Sequence, residues 1–315
     1  MGVMVSFAAF NLVCRATMRL AIVVALLAQT VSAEKHLDHS VSPDSEKRNC
    51  DVAWLTDYRL ARLQAIKSGK SLLVHFMGSS ADERHVRFMA DTCTRQEVQH
   101  LLGNYVCLRV PSDLSLRVEG RRIVLLEDPA FDVMQETSGL AVVDFGDPMK
   151  ETFGRVIGAL PFTKPTYYAL PFESRSSVVT FLKLPPGPLT ERMMIYAIRM
   201  HPEGPRSTAG EASPTLSQAA AEHSQRQALL QRQGHHRWES RFHRIWEQIG
   251  GKPPVEVCAE SWPDEPLVTA CLGCVHAWRQ SAGHWKSVAG DHPLYAYGMH
   301  RGKNRIWYAT GIFGG

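Results

Sequence analysis

Cysteine is the residue type in this chain that most clearly indicates reactive chemistry. Of the seven cysteines, Cys271 and Cys274 have the Cys-x-x-Cys spacing of a thiol redox pair. Such a pair exchanges with a disulfide only when one of its thiolates is accessible. Both residues fall in the middle of a predicted helix, where a cysteine often serves as a small buried hydrophobic side chain.

An apolar segment near the N-terminus predicts export. Leu20–Ala28 is a continuous apolar run, Arg15 and Arg19 precede it, and residues 31–33 are small. This order is typical of a signal peptide, which we place at residues 1–33, with an uncleaved anchor as the alternative. The run is too short to cross a bilayer comfortably, so we expect no membrane span after cleavage. The mature protein is therefore predicted to be secreted or to lie in the periplasm or cell envelope.

Export makes disulfide bonds possible, because secreted and periplasmic compartments are oxidising. Either Met1 or Met18 can start the signal peptide, and Cys14 is lost with it. An even number of cysteines then remains, and sequence alone leaves their pairing open. The remaining cysteines are Cys50, Cys93, Cys107, Cys258, Cys271 and Cys274.

Composition and charge exclude one class of partner. The 315 residues are 44% hydrophobic, which is enough for two domains with cores of their own, and the formal net charge is only +4. A chain so close to neutrality has no strong electrostatic attraction to nucleic acid or anionic lipid. We therefore expect no nucleic-acid partner.

Composition also divides the chain. Residues 34–49 are rich in Ser, Asp, Lys and Glu, which indicates a flexible lead. Residues 201–216 are rich in Pro, Gly and Ser, which indicates a linker. The predicted domains are therefore residues 50–200 and 217–315.

The first domain has alternating helix and strand signals. Asp57 is placed to cap a helix with Leu60, Leu63 and Ile66 on three-residue steps, and a buried strand follows at residues 70–76. A second helix, a second strand and a hairpin complete the pattern. This order resembles the thioredoxin-like fold over about residues 52–160.

The redox site that this resemblance would imply is missing. In thioredoxin-like enzymes a Cys-x-x-Cys follows the first buried strand within a few residues, but residues 77–82 contain no cysteine. The expected proline before the hairpin is also absent, since Ser138–Leu140 stands there. A serine hydroxyl cannot replace a thiolate in disulfide exchange, so we expect the fold without the dithiol chemistry.

Three further residues of this domain are open to interpretation. Cys93 lies at the start of a predicted helix, where it is either a reactive thiol or a disulfide partner of Cys107 or Cys50. His75 lies in the middle of a strand, which favours a core or interface histidine. Asp144 alternates with apolar neighbours, which predicts a solvent-facing strand position.

The last hundred residues carry more specific motifs. Glu256–Ala259 is a glutamate on a short apolar strand, Trp278–His284 is a helical segment ending in Gly-His, and Ile306–Phe313 is an aromatic strand. In this order they resemble the CAP superfamily, the fold of cysteine-rich secretory and pathogenesis-related proteins, over about residues 215–315. Ala282 and Ser281 depart from the family pattern, which has a proline and often a second glutamate there.

The CAP resemblance implies a central cavity in which three polar side chains meet. They are His235, with His236 as its alternative, Glu256 and His284. Two imidazoles, His235 and His284, and a carboxylate can hold Zn²⁺ with an open position for water, so zinc is a possible cofactor. Without a metal, the same side chains could act as base and acid or only hydrogen-bond one another.

The two resemblances together imply a fold class. We expect an α/β thioredoxin-like domain followed by an α+β CAP domain, in which a sheet lies between helices as an α-β-α sandwich. The CAP fold packs the strand of Cys258 beside the helix of Cys274, so the resemblance also implies a disulfide between these cysteines.

Each predicted domain lacks some of the residues that catalysis would need, which favours binding over catalysis. We expect an exported binding or interaction protein whose partner is an unknown protein, a glycan or an apolar ligand held by aromatic side chains. The first alternative is a metal-dependent hydrolase that uses His235, Glu256 and His284. The second is a thiol oxidoreductase that uses Cys93 or the Cys271–Cys274 spacing.

Overall fold

The computed structural model describes residues 52–80, 82–118 and 120–315. The predicted signal peptide and flexible lead, together with Cys50, lie outside these ranges. Within them the chain is a mixed α/β protein built on two open mixed sheets. No helix in the described ranges combines the length and the apolar character needed to cross a membrane.

The first half of the chain forms a five-stranded sheet and a separate hairpin. Its strands are β1 (Trp54–Leu55), β2 (Leu72–Met77), β3 (Val106–Pro111), β4 (Ser115–Val118), β5 (Arg121–Val124), β6 (Gly139–Val143) and β7 (Val156–Pro161). The sheet order is β1-β3-β2-β6-β7, and β4 pairs with β5 alone. β3 is parallel to β1 and β2, whereas β6 is antiparallel to β2 and β7. The hairpin fills part of a stretch for which the sequence pattern gives only one short apolar run.

Helices cover this sheet. They are α1 (Tyr58–Ser68), α2 (Glu83–Arg87) with a π-helical turn (Phe88–Thr92), α3 (Gln96–Leu102), α4 (Arg175–Leu182) and α5 (Leu189–Arg199). α1 starts where predicted, since the Asp57 carboxylate accepts the Leu60 amide at 3.0 Å. It ends at Gly69, whose φ of 63° is a left-handed conformation that favours glycine.

The buried face of α1 differs from the predicted one. Leu60 and Leu63 are 60% and 57% exposed, whereas Ala61 and Ala65 are fully buried. Alanine has a short side chain, so this face allows the helix axis to approach β2 and β3 closely. The three-residue spacing therefore predicted the helix but not the face that packs.

His75 and Asp144 are both buried. His75 is a core residue, as predicted, and its ring lies 4.8 Å from the Phe88 ring. The prediction of a solvent-facing Asp144 was wrong. Asp144 lies just beyond β6, where its carboxylate accepts the Gly146 amide at 2.9 Å and the Thr152 hydroxyl at 2.6 Å. A carboxylate that organises a turn is buried because these donors replace water.

The second half of the chain forms a four-stranded sheet between helices. Its elements are β8 (Glu211–Ala212), α6 (Pro214–Leu230), α7 (Trp238–Ile249), β9 (Val255–Glu260), α8 (Leu267–Arg279), α9 (Ala282–Ala289), β10 (Leu294–Arg301) and β11 (Trp307–Gly314). The sheet order is β8-β10-β11-β9. α6 packs on β10 and β11, and α8 packs on β9 and β11 from the other side. Gly298 permits the contact with α6, because a Cβ there would lie 2.6 Å from the Ala220 carbonyl carbon.

The Gly-His pair opens a helix in the structure. α8 ends at Arg279, Ser281 is extended with φ −113° and ψ 112°, and α9 then starts at Ala282. The expectation that Gly283 and His284 end a helix is therefore corrected: they lie in the first turn of α9. The extended Ser281 separates the two helices.

The two sheets share one helix. α5 packs against β7 in the first sheet and against α8 and β10 in the second half. One continuous cluster of buried apolar side chains joins both halves. The segment predicted as a linker, residues 201–216, contains β8 and the start of α6, and its Ser207 hydroxyl is buried 2.6 Å from the Tyr297 hydroxyl.

Candidate functional site

Strand β9 directs two polar side chains away from the main core. Side chains alternate along a strand, so Val257 and Ala259 point into the apolar cluster that α8 helps to form. Glu256 and Cys258 point to the opposite face, beneath α6 and α7. Both are buried. The sheet register sets Thr310 of β11 beside Cys258, which extends the polar character of this face.

The Glu256 carboxylate is bound on both oxygens. Arg241 Nη2, on α7, donates to Oε2 at 2.6 Å, and His235 Nδ1 lies 2.9 Å from Oε1. His223 Nε2, on α6, is 3.6 Å from the same Oε1. Burial by itself would raise the pKa of Glu256, but His235, His223 and Arg241 outweigh it and hold the pKa below its ordinary value. Glu256 is therefore an ionised, neutralised carboxylate.

His223 is a buried neutral imidazole. Its Nε2 donates to the Gly234 carbonyl at 2.9 Å. Within the part of the chain that the structure describes, its Nδ1 has no hydrogen-bond partner. Burial is the main reason that its pKa falls to about 4, and nearby Glu256 opposes this only in part. The ring therefore carries one unused lone pair in the protein interior.

His235 connects the buried carboxylate to the surface. Its side chain is 44% exposed. Its ring centroid lies 5.9 Å from that of His284, which is partly buried at the start of α9. Burial, and then the charge of His235, lower the pKa of His284. The structure thus brings His235 to each of its two predicted partners, but among the described residues no contact joins Glu256 to His284.

The alternative histidine lies beside His223. The His236 ring centroid is 6.0 Å from that of His223, and His236 Nε2 donates to the Arg232 carbonyl at 3.0 Å. His235 rather than His236 therefore meets Glu256. The positive φ of Arg237, 55°, turns the chain just before α7 begins.

Cys258 belongs to the same cluster as Glu256. Its Sγ lies 3.6 Å from Glu256 Oε1 and 3.7 Å from His235 Nδ1. Donor atoms of His223, Glu256 and Cys258 all lie within 4.8 Å of one another, a spacing at which they could hold a metal ion. The histidine in this converging set is His223, whereas the sequence predicted His235 and His284 as the metal-binding histidines.

The predicted Cys258–Cys274 disulfide is not formed. Both are buried free thiols. Cys258 faces α6, whereas Cys274 lies on α8 within the apolar cluster on the other side of the sheet. The strand does lie beside the helix, but alternation along β9 directs Val257 and Ala259 towards α8.

The other cysteines are also buried. Cys271 is a free thiol, and burial raises the pKa of Cys271 and of Cys274 well above the ordinary value. Cys93 and Cys107 lie in the same apolar cluster. A buried thiol with a raised pKa supplies little thiolate, so the Cys271–Cys274 spacing does not correspond to a reactive pair.

Sequence reasoning missed His223 and Arg241, although patterns for one of them were present. His223 and Gln227 are four residues apart on α6, so they lie on one face, and Gln227 bonds to the Thr310 hydroxyl at 2.9 Å. Polar side chains on the helix face that packs against a sheet are unusual in a buried helix. Arg241 had no comparable signal, because its neighbours on α7 include other arginines.

Comparison with known proteins gives no match: no family model fits the chain, and no curated protein or solved structure is significantly similar to it.

Proposed function

We propose that this chain is an exported, non-catalytic glycan-binding protein with a thioredoxin-like module and a CAP-like module. The sheet order β1-β3-β2-β6-β7, with its antiparallel final pair, supports the first assignment. Helices on both faces of the second sheet support the second. Export is supported by the signal-peptide pattern of residues 1–33.

The observation that carries the non-catalytic proposal is the saturation of Glu256. Arg241 takes Oε2 at 2.6 Å, and Oε1 lies 2.9 Å from His235. A carboxylate neutralised in this way is a weak base, because its proton affinity has been reduced by the same contacts. The site therefore lacks the free general base that a metal-independent hydrolase needs.

The first module also lacks a reactive group at its expected site. Asp82 and Ser138 stand near the positions of the family's dithiol and proline, and Ser138 donates to Asp82 Oδ2 at 2.7 Å. Neither side chain of this hydrogen bond can act as the thiolate that attacks a substrate disulfide. With Cys271 and Cys274 buried, thiol oxidoreduction has no support from the geometry.

A row of aromatic side chains on α7 supports the binding proposal. Trp238 and Phe242 have ring centroids 5.8 Å apart, and Phe242 and Trp246 have centroids 5.6 Å apart. Arg241 lies 5.1 Å above the Trp238 ring and connects this row to Glu256. Aromatic faces beside hydrogen-bond donors suit a glycan, whose rings have apolar faces and polar edges.

The test is co-sedimentation of the purified protein with insoluble glycans, peptidoglycan and chitin, together with an assay for released reducing ends. We expect sedimentation without release. Trp246→Ala should weaken binding about tenfold, equivalent to about 1.4 kcal/mol. Trp262→Ala is the matched control, since Trp262 is 72% exposed and lies outside the α7 row.

Two outcomes would contradict the proposal. Product release that disappears in His235→Ala would mean that the cluster is catalytic. Failure to sediment with either glycan, or equal losses in Trp246→Ala and Trp262→Ala, would mean that the α7 row does not bind these polymers.

A further inference from the structure

Three potential metal ligands, His223, Glu256 and Cys258, converge beneath α6 and α7, and His235 lies beside Glu256 and Cys258. Glu256 and Cys258 come from β9, His223 from α6 and His235 from the loop before α7. A carboxylate, a thiol and two imidazoles are the side chains that Zn²⁺ uses in proteins. Thiolate and imidazole together favour Zn²⁺ over the hard ions Mg²⁺ and Ca²⁺.

The spacing of these donors matches a tetrahedral coordination sphere. Zinc–ligand bonds of about 2.0–2.3 Å separate neighbouring donor atoms by about 3.3–3.6 Å. Glu256 Oε1 lies 3.6 Å from Cys258 Sγ and 3.6 Å from His223 Nε2, and Cys258 Sγ lies 3.7 Å from His235 Nδ1. The His235–Glu256 pair is closer, at 2.9 Å, and it would have to open by about half an ångström.

Neighbouring groups orient the side chains that would bind the metal ion. Arg241 holds Glu256 Oε2, which leaves Oε1 pointing at the other three donors. His223 is 1% exposed, and the ring atom that lies 3.6 Å from Glu256 Oε1 is Nε2, which bonds to the Gly234 carbonyl, whereas Nδ1 has no partner among the described residues. To bind a metal ion through Nε2, the ring would give up the bond to Gly234 and carry its proton on Nδ1. These contacts are the kind that orient ligands in protein metal sites.

We infer that His223, His235, Glu256 and Cys258 form a structural zinc site. Four protein ligands close the coordination sphere, so no position is left for a reacting water. Binding releases the Cys258 thiol proton to solvent, and both imidazoles stay neutral, with the proton of His235 on Nε2 and that of His223 on Nδ1. The half-exposed side chain of His235 provides the entry path for the ion. The site goes beyond the proposed glycan binding and does not depend on it.

The test is metal binding by the purified protein after removal of metals with a chelator. Zn²⁺ is titrated in competition with a chromophoric chelator, and Co²⁺ is used as a spectroscopic substitute whose sulfur-to-cobalt absorption band reports a thiolate ligand. We expect about one Zn²⁺ per chain and a clear thiolate band with Co²⁺.

Matched variants separate this site from its neighbours. Cys258→Ser and His223→Gln should each weaken Zn²⁺ binding at least about 100-fold, because removal of a ligand costs more than removal of an outer partner. Cys274→Ser and His284→Gln should bind as the native chain does, since Cys274 lies across the sheet and His284 contacts only His235 in this cluster.

Several results would overturn the inference. They are no stoichiometric Zn²⁺ binding, Zn²⁺ binding that survives Cys258→Ser, or binding that is lost in His284→Gln. If Cys258→Ser does not fold, the Co²⁺ spectra of the native chain and of His284→Gln decide, because absence of the thiolate band in both excludes Cys258 as a ligand.

Discussion

At the residue scale, the molecule depends on charge compensation around one buried carboxylate. Glu256 is removed from water, and its stability there comes from the Arg241 guanidinium and from the His235 ring. A buried charge that loses its partner is strongly destabilising, whereas a buried pair replaced as a whole can be neutral. The Arg241–Glu256 pair therefore makes a sharper test than either residue alone.

We expect Arg241→Met to lower the free energy of unfolding by about 3 kcal/mol, because it leaves Glu256 ionised and without its main partner. Adding Glu256→Gln should recover a large part of this loss. Urea denaturation of the native chain, the single variants and the double variant measures the coupling. Additive effects of the two substitutions would contradict the compensation argument.

His75 should make the protein sensitive to acid. Burial first, and then the charges of His85 and Arg109, hold the pKa of His75 well below 6.5 in the folded chain. Below pH 6.5 the unfolded chain takes up a proton that the folded chain does not, so stability is complete above pH 6.5 and falls as the pH falls. The slope from this one group approaches about 1.4 kcal/mol per pH unit.

The check is denaturation of the native chain and of His75→Leu between pH 7.5 and pH 5, pH values chosen to span the ordinary histidine pKa of about 6.5. His75→Leu should show a shallower decline. Some decline should remain, since the pKa values of His201, His223 and His284 are also lowered. Identical slopes would mean that His75 is not a source of the acid sensitivity.

Sequence identified part of this site for a physical reason. Glu256 and His235 were found through motif order, and they do meet at 2.9 Å. His223 could not be found in the same way, because its partner is 33 residues away and only the packing of α6 on the sheet brings them together. The predicted Cys258–Cys274 disulfide was wrong, because a strand that lies beside a helix can still direct a given side chain to the opposite face of the sheet.

At the element scale, small residues decide how closely helices approach the sheets. α1 buries Ala61 and Ala65 and exposes its leucines, and α6 meets β10 at Gly298. The apolar spacing of Leu60 and Leu63 predicted a helix correctly, but hydrophobicity alone selected the wrong face. How closely a helix approaches a neighbouring strand depends on both elements. It therefore cannot be predicted from the sequence of the helix alone.

Substitutions in α1 should follow this reversed pattern. Leu63→Lys should change the free energy of unfolding by less than about 0.5 kcal/mol, because Leu63 is 57% exposed. Ala61→Leu should destabilise by about 1–3 kcal/mol through overpacking against the sheet. Chemical denaturation measures both, and a larger effect of Leu63→Lys would reverse the assignment of the buried face.

Gly298→Ala tests the contact between α6 and β10. The new Cβ would meet the Ala220 backbone at 2.6 Å, so helix and strand must separate, with a loss of about 1–3 kcal/mol. Gly283→Ala serves as the control, since nothing lies within 4 Å of a Cβ there. Thermal denaturation compares the two, and equal midpoints would contradict the close approach.

At the scale of the whole molecule, α5 belongs to both halves. It packs on β7 of the first sheet and on β10 of the second, within one continuous apolar cluster. Composition suggested two domains with a boundary after residue 200. It could not reveal that both halves share α5, because the apolar composition of α5 is that of any buried helix. Halves that share a core are expected to unfold together.

Hydrogen exchange followed by mass spectrometry should therefore give similar opening free energies for peptides covering β2 and β10. Ala197→Glu, a charge at a fully buried position of α5, should lower the protection of both by similar amounts. Protection lost in only one sheet would indicate two independent units.

The shared helix has a consequence for biosynthesis. α5 is complete at residue 199, but β10, one of the elements it packs against, ends only at residue 301. At about 5–20 residues per second, the ribosome needs on the order of 5–20 s to make the chain between them. Until α8 and then β10 have been made, the apolar face of α5 that packs on them lacks these partners within the nascent chain. Chaperone protection of the emerging polypeptide, and aggregation of chains truncated before β10, follow from the position of this one helix.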